Sequence, residues 1–309
     1  MLLVRVGKFR GKEAGARGSL RGRPEPSGSS QLVSPSGREL TAPRYGRFVP
    51  GFTKRGCGTT LLLLRHGHSS ANADDAFSGW LDVPLSPRGE REARHAAALI
   101  AGAGLLPEVV HTSVLRRSIQ TANGLLGALG CLWVPCRRSW RLNERHYGAL
   151  QGRRRAEVRA EVGDETYLEW RRSYEGCPPP LGPEAAAALA ADPRYAVGGP
   201  ATVPAVESLA DVRRRLVPWW QDAIVPDVAA GRVPLVVGHS NSLRALCMIL
   251  DQLTPDEVRG LNLPTGVPLR YDFDDRWRPV IRGGVYLDPA AAASGVAEVV
   301  AQGGGPGDG

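Results

Sequence analysis

Two histidines follow apolar runs that are typical of buried parallel strands. His66 comes one residue after the run 60–64, and His239 comes directly after the run 234–238. In an open α/β sheet, ligands bind beyond the carboxyl ends of the strands, where a helix N-terminus attracts an anion. The sequence therefore predicts two imidazoles converging on one anion site, which is the arrangement that a phosphohistidine reaction requires.

Arginines near these histidines fit the same chemistry. A histidine nucleophile must be neutral at the attacking nitrogen and needs a partner on its other nitrogen. Arg65, beside His66, and Arg117, at the start of the second predicted helix, favour the neutral form. Together with a cationic His239, we expect them to stabilise charge on a transferred phosphoryl group.

A dense polar run, 141–152, contains the best candidate for a general acid and base, Glu144. To protonate a leaving oxygen near neutral pH, the pKa of this carboxyl must rise from about 4.3. The alternative is a surface carboxylate paired with Arg141 and Arg145, which is the commoner fate of a glutamate. Downstream arginines either form a solvated face or, as a lid, bind phosphate and carboxylate; they are Arg153, Arg154, Arg155, Arg171 and Arg172.

Other histidines and the cysteines carry weaker signals. His66 and His68 could bind a metal, but no acidic cluster has metal-site spacing, and we expect no metal. His95 and His111 are interpreted as structural. Five cysteines at irregular spacing predict free thiols in a reducing, cytoplasmic compartment.

Alternating apolar runs and helical stripes predict an α/β fold with a mostly parallel sheet. The first strand covers 60–64, and Ser86 with Pro87 begins a helix whose buried stripe is Ala93, Ala96, Ala97 and Ile100. A second apolar run begins at Val109 and Val110 and ends in Thr112 and Ser113, which predicts another strand. Ser113 is predicted to cap the helix that follows, and 132–134 is a weaker strand candidate. A last strand, 234–238, leads into a helix with the stripe Leu243, Leu246, Cys247 and Leu250.

Composition divides the chain into three parts. Residues 1–58 hold a net charge of +9 and are rich in glycine, proline and serine, so we expect a disordered extension, a targeting segment or a misplaced start. Residues 59–288 are the predicted catalytic domain, with a lid insertion at about 150–205, and 289–309 are a predicted flexible tail. Residues 59–309 together have 27 basic and 28 acidic residues, which argues against a nucleic-acid or membrane partner.

From about Thr60 to Leu287 the sequence resembles the 2,3-bisphosphoglycerate-dependent phosphoglycerate mutases of the histidine phosphatase superfamily. The most specific segment is 143–148, which broad-specificity phosphatases of the superfamily generally lack. The other matching segments are 77–80, 112–115, the rest of 142–152, 170–172, 239–246 and 262–268. The resemblance implies a three-layer sandwich of the phosphoglycerate mutase type.

The resemblance also implies roles for individual residues. His66 becomes phosphorylated, Glu144 donates and accepts the proton, and His239 stabilises the transition state. Phosphate and carboxylate are held by Arg65, Asn72, Ser78, Gly79, Arg117, Tyr147, Arg155, Arg171, Arg172, Ser240 and Asn241. In that family 2,3-bisphosphoglycerate primes the phosphoenzyme without a metal, the C-terminal tail closes over the site, and the enzymes are dimers or tetramers.

Three positions depart from the family pattern. His68 replaces an acidic residue, so it should lower the pKa of His66 slightly. Arg155 replaces a lysine and exchanges a point donor for a planar fork. Ser240 replaces a glycine beside a backbone N–H that ought to face phosphate. None of these departures touches His66, His239 or Glu144, so we expect an active enzyme.

The leading hypothesis is the glycolytic and gluconeogenic interconversion of 3-phosphoglycerate and 2-phosphoglycerate. The alternative is a histidine-type phosphatase acting on small phosphorylated metabolites, in which water takes the phosphoryl group; a mutase must protect its phosphoenzyme from water. A binding protein that uses its basic extension is a third hypothesis, and the near-neutral domain argues against it.

Overall fold

The computed structural model describes residues 59–195 and 203–302, which form an α/β sandwich around a six-stranded sheet. The predicted extension at 1–58 lies outside the described residues. The strands are β1 (Thr59–Arg65), β2 (Val109–Thr112), β3 (Cys136–Arg138), β4 (Pro234–Gly238), β5 (Leu269–Phe273) and β6 (Val285–Tyr286). Their order is β3-β2-β4-β1-β5-β6, with β3, β2, β4 and β1 parallel and β5 and β6 antiparallel.

Helices cover both faces of the sheet, which confirms the predicted three layers. They are α1 (Ser70–Ala73), α2 (Pro87–Gly102), α3 (Arg116–Ala128), α4 (Arg155–Arg172), α5 (Pro183–Ala190), α6 (Leu209–Trp219), α7 (Val225–Ala229), α8 (Ser240–Asp251), α9 (Pro255–Gly260) and α10 (Pro289–Ala301). Leu62 and Leu64 of β1 pack against α2 and α3, whereas Leu61 and Leu63 pack against α6, α7 and α8. Strand β1 is therefore buried on both faces, as its continuous apolar run predicts.

Local signals account for most of the element boundaries. The Ser86 side chain accepts a hydrogen bond from the Gly89 N–H, and Pro87 is the first residue of α2. The predicted stripe of Ala93, Ala96, Ala97 and Ile100 is buried. The prediction for α3 was wrong, because its N-cap is Leu115, while the Ser113 hydroxyl accepts from the Leu115 N–H.

Two further segments differ from expectation. The third strand is β3, at Cys136–Arg138, and the candidate 132–134 is a turn with Leu132 and Trp133 exposed. Three apolar residues were too short a run to define a strand. Residues 289–301 of the predicted tail form α10, which begins with Asp288 as N-cap and Pro289 at its first position; the glycine-rich end lies outside the described residues.

A buried ion pair holds the polar run that contains Glu144. Arg215 of α6 donates from Nε to Glu207 Oε1 at 2.6 Å and from its Nη atoms to the backbone oxygens of Arg141, Asn143 and Glu144. Glu207 Oε2 accepts from the His146 N–H at 2.8 Å. Because both charges are buried, each offsets the desolvation of the other.

Arg215→Met should therefore lower the free energy of unfolding by about 3 to 5 kcal/mol, since it leaves the Glu207 carboxylate buried without its cation. Urea denaturation followed by tryptophan fluorescence measures this change. Arg214→Met, at the exposed neighbouring position, is the matched control and should change stability little. Equal effects of the two substitutions would contradict the structural role of the buried pair.

Candidate active site

Parallel pairing of β1 with β4 brings the two predicted histidines together. Arg65 pairs with Gly238 in the strand register, and the His66 N–H donates to the Gly238 oxygen at 2.9 Å. The rings of His66 and His239 lie 5.0 Å apart between centroids, and both side chains are buried. His239 is also the N-cap of α8, so the first turn of that helix begins beside the two imidazoles.

The contacts of His66 fix the nitrogen that can attack. His66 Nδ1 lies 2.7 Å from the Gly67 oxygen, a pure acceptor, so Nδ1 carries the proton. Arg117 donates from Nε toward His66 Nε2 at 3.3 Å, onto the free lone pair. Burial, followed by the charges of Arg117 and Arg65, lowers the pKa of His66 well below its usual value. Nε2 is therefore the unprotonated, nucleophilic nitrogen.

Arg117 is fully buried and fixed on three sides. Besides His66, it donates to the backbone oxygens of Leu81 and Gly79, each at 2.9 Å. Burial lowers its pKa to about 10, so the guanidinium stays charged at neutral pH. The Gly79 backbone has φ +47°, and a Cβ there would collide with Gln151. Gly79 therefore acts through its carbonyl on Arg117, rather than by lining the cavity.

His239 is neutral in this environment, which corrects the expectation that it is cationic. Burial, then the charge of Arg117 and the nearby His66, lowers its pKa well below 6.5. His239 Nε2 lies 2.8 Å from the Ser113 hydroxyl, and its buried Nδ1 has no hydrogen-bond partner. When Ser113 donates to Nε2, Nδ1 carries the proton and is available to an anionic oxygen.

Glu144 is buried, which removes the surface alternative. Its Oε1 accepts from the backbone N–H groups of Arg145 at 2.7 Å and Asn241 at 3.1 Å, not from a guanidinium. Trp80 Nε1 and Arg215 hold the Glu144 carbonyl at 2.6 and 2.9 Å. Hydrogen bonds to the carboxylate and to the backbone carbonyl thus both fix the position of Glu144.

A cationic cavity joins these groups. Its lining contains eleven of the predicted residues: Arg65, His66, Asn72, Ser78, Glu144, Tyr147, Arg155, Arg171, Arg172, Ser240 and Asn241. The other three predicted residues lie outside this lining. Arg117 donates a hydrogen bond to His66, and the His239 ring lies beside the His66 ring. The Gly79 oxygen accepts a hydrogen bond from Arg117. Among the described residues, no group of three histidine, cysteine, aspartate or glutamate side chains could hold a metal ion.

Comparison with known proteins shows the family. Residues 61–197 match the model of the histidine phosphatase superfamily, branch 1. The chain is 54% identical over 245 residues to a protein from Thermobifida fusca named 2,3-bisphosphoglycerate-dependent phosphoglycerate mutase, covering 79% of this chain and 99% of that protein. A Mycobacterium tuberculosis protein of the same name is 53% identical over 246 residues, covering 79% and 97%.

The chain belongs to the 2,3-bisphosphoglycerate-dependent phosphoglycerate mutase family. A solved mycobacterial glucosyl-3-phosphoglycerate phosphatase is more distant, at 26% identity and a TM-score of 0.53, covering 69% of this chain and 92% of that one. A Bacillus stearothermophilus structure with 22% identity and a TM-score of 0.55 covers 74% and 98%, and it shows the fold alone.

The three departures from the mutase pattern lie in defined surroundings. His68 has Nδ1 2.9 Å from the Ser86 hydroxyl, and its charge lowers the pKa of His66 less than burial or the nearby arginines do. Arg155 pairs with Asp75 through Nη1 alone while lining the cavity. Ser240 is the first residue of α8, at the edge of the same cavity.

Several site residues escaped the sequence prediction. Arg244, Phe77, Val299 and Gln302 also line the cavity, and Ser113 holds His239. Ser113 sits at the end of β2, beside β4, so its position after a predicted strand was an available signal. No local sequence signal marked Arg244 as a buried site residue, because an arginine within a helix is normally exposed.

Buried neutral histidines should make this protein sensitive to mild acid. Burial lowers the pKa of His111 and of His146 to about 4. Below pH 6.5 the unfolded chain therefore binds more protons than the folded protein, so stability falls as pH falls from about 6.5 to about 4. These two histidines alone should cost on the order of 4 kcal/mol between pH 7 and pH 5.

Urea denaturation at a series of pH values, in buffer without phosphate, measures this loss. His111→Gln should flatten the pH dependence between pH 7 and pH 5, whatever it does to stability at pH 7. His95→Gln is the control, because His95 is exposed. Unchanged slopes for His111→Gln would contradict the assignment.

Proposed function

We propose that this protein interconverts 3-phosphoglycerate and 2-phosphoglycerate through a phosphohistidine on His66. The observation that supports this best is the position of Glu144. Asn241, two residues after His239, holds the Glu144 carboxylate through its backbone N–H at the cavity that also contains His66. A phosphoryl acceptor and a proton carrier at one cavity are what transfer to and from a hydroxyl requires.

His66 would take the phosphoryl group on Nε2, while its Nδ1–H keeps the hydrogen bond to Gly67 that stabilises the developing positive charge. Arg117, Arg65 and His239 Nδ1 would bind the equatorial oxygens. On transfer to a substrate hydroxyl, Glu144 accepts the hydroxyl proton as the new O–P bond forms and the N–P bond breaks. In the reverse direction it returns that proton to the leaving oxygen.

The residues present fit 2,3-bisphosphoglycerate as the primer. The cavity is lined by Arg65, Arg155, Arg171, Arg172 and Arg244, enough cations for two phosphates and a carboxylate. Nε atoms of Arg65, Arg172 and Arg244 are buried without a partner, which suits an anionic ligand. When bound, the bisphosphate would supply the phosphoryl group that first loads His66.

Helix α10 would protect the loaded histidine from water. Val299 and Gln302 line the cavity, and Arg171 Nη1 donates to the Gln302 oxygen at 3.4 Å. Arg88 of α2 pairs with Glu298 through two bonds of 2.7 Å. The enclosed volume of about 50 Å³ has room for only a few waters, so α10 would have to move for substrate to enter.

Other expectations stay predictions. These are a dimeric or tetrameric assembly, a cytoplasmic location and the absence of a nucleic-acid partner. No helix within 59–195 or 203–302 is long and apolar enough to cross a membrane.

The function is tested by following conversion of 3-phosphoglycerate to 2-phosphoglycerate in the presence of chelator, with and without trace 2,3-bisphosphoglycerate. Free phosphate is recorded in parallel. We expect isomerisation that rises with the bisphosphate and releases little phosphate, because the small cavity beneath α10 would leave little room for water beside the loaded histidine. His66→Ala is the inactive control. Phosphate release without isomerisation would instead establish the phosphatase.

A further inference from the structure

Arg244 is a fully buried cation to which the family resemblance assigns no individual role. It lies on α8, is 1% exposed and lines the candidate site. Burial lowers its pKa to about 10, so it remains charged at neutral pH. Burying a charge destabilises the folded protein unless hydrogen bonds or opposite charges offset the lost hydration.

The guanidinium of Arg244 connects three parts of the site. Nη1 donates to Asn241 Oδ1 at 2.9 Å, and Nη2 donates to the Val258 oxygen of α9 at 2.6 Å. Nη2 also reaches the Arg172 oxygen at the end of α4, at 3.4 Å. The planar guanidinium therefore donates hydrogen bonds to two neighbouring backbone segments and, at the same time, to the side chain of Asn241.

The hydrogen bond from Arg244 fixes the orientation of the Asn241 amide. Because Arg244 can only donate, the atom facing it must be the amide oxygen. The amide nitrogen then faces the other way and donates to the Tyr147 hydroxyl at 3.0 Å. Tyr147 is itself held between Phe77, 4.9 Å away between ring centroids, and the Arg145 guanidinium, 4.5 Å from its ring.

We propose that Arg244 is a positioning residue for substrate binding, which orients the Asn241 amide and through it the Tyr147 hydroxyl. This proposal rests on the proposed function and adds a residue to it. Glu144 depends on the Asn241 backbone N–H, not on the amide. Loss of Arg244 should therefore weaken binding of phosphoglycerate more than it slows proton transfer.

Arg244→Met should lower kcat/KM for 3-phosphoglycerate by about 10- to 100-fold, mainly through KM, because a hydrogen bond from a charged group is lost at a buried site. Arg244→Lys keeps the charge but not the fork, and we expect at least about a threefold loss. Arg259→Met, on the exposed part of α9 next to Val258, is the matched control and should match the parent enzyme.

A double-mutant cycle separates positioning from simple attraction of an anion. If Arg244 acts through Asn241, then Arg244→Met should cost less than about threefold in an Asn241→Ala background. A through-space effect of its charge would persist there in full, and that result would overturn the proposal. So would an Arg244→Lys enzyme with parental KM and kcat.

If Arg244→Met fails to fold, as judged by circular dichroism, the same cycle with Arg244→Lys gives the decision. Absence of mutase activity in the parent protein would count against the proposed function. An active parent with independent effects at positions 244 and 241 would count against the positioning role alone.

Discussion

The site depends on one constraint, the parallel pairing of β1 with β4. Their register sets Arg65 opposite Gly238, so that His66 and His239 leave the sheet side by side. Both strands are buried on both faces, so their apolar side chains anchor them in the centre of the sandwich. The backbone pairing of β1 with β4 therefore sets the two imidazoles side by side.

Burial then determines the protonation state of these two imidazoles. Burial, together with Arg117, keeps His66 and His239 neutral, so one can act as a nucleophile and the other as a neutral donor. The same burial lowers the pKa values of Arg117, Arg172 and Arg244 without discharging them at neutral pH. Such a cluster of cations opposes folding, and an anionic ligand that neutralises it would stabilise the folded protein.

Support for the site comes from residues far apart in the sequence. Arg215 and Glu207 hold the segment with Glu144, while Arg244 holds the Asn241 amide. Each support joins a helix end or loop to a neighbouring element, so the reacting groups do not depend on their own rotamers alone. Residues of α4 and of the C-terminal end of α10 complete the lining of the cavity.

The sequence predicted those features that have a local cause. Apolar runs located β1, β2 and β4, and Ser86 with Pro87 located the start of α2. At α3 the local signal was misleading, because Leu115 and not Ser113 is the N-cap of this helix. Asp288 and Pro289 form an N-cap and N1 pair at the start of α10, but the alanine and glycine content that follows led to the prediction of a flexible tail.

Burial of charge could not be predicted in this way. Arg215 and Arg244 resemble surface arginines of amphipathic helices, and only tertiary packing shows that each is enclosed. The neutral state of His239 likewise follows from the closeness of His66 and Arg117, which are distant in sequence.

A phosphohistidine reaction at this site requires that the phosphoryl group is carried on Nε2 of His66, and the phosphorylated atom can be identified. The protein is incubated with phosphate-labelled 2,3-bisphosphoglycerate, quenched in alkali and analysed by peptide mass spectrometry and ³¹P NMR. A label on Nε2 of His66, which chases into product when 3-phosphoglycerate is added, is the predicted result. A label on another residue, or one that leaves only as free phosphate, would contradict the account.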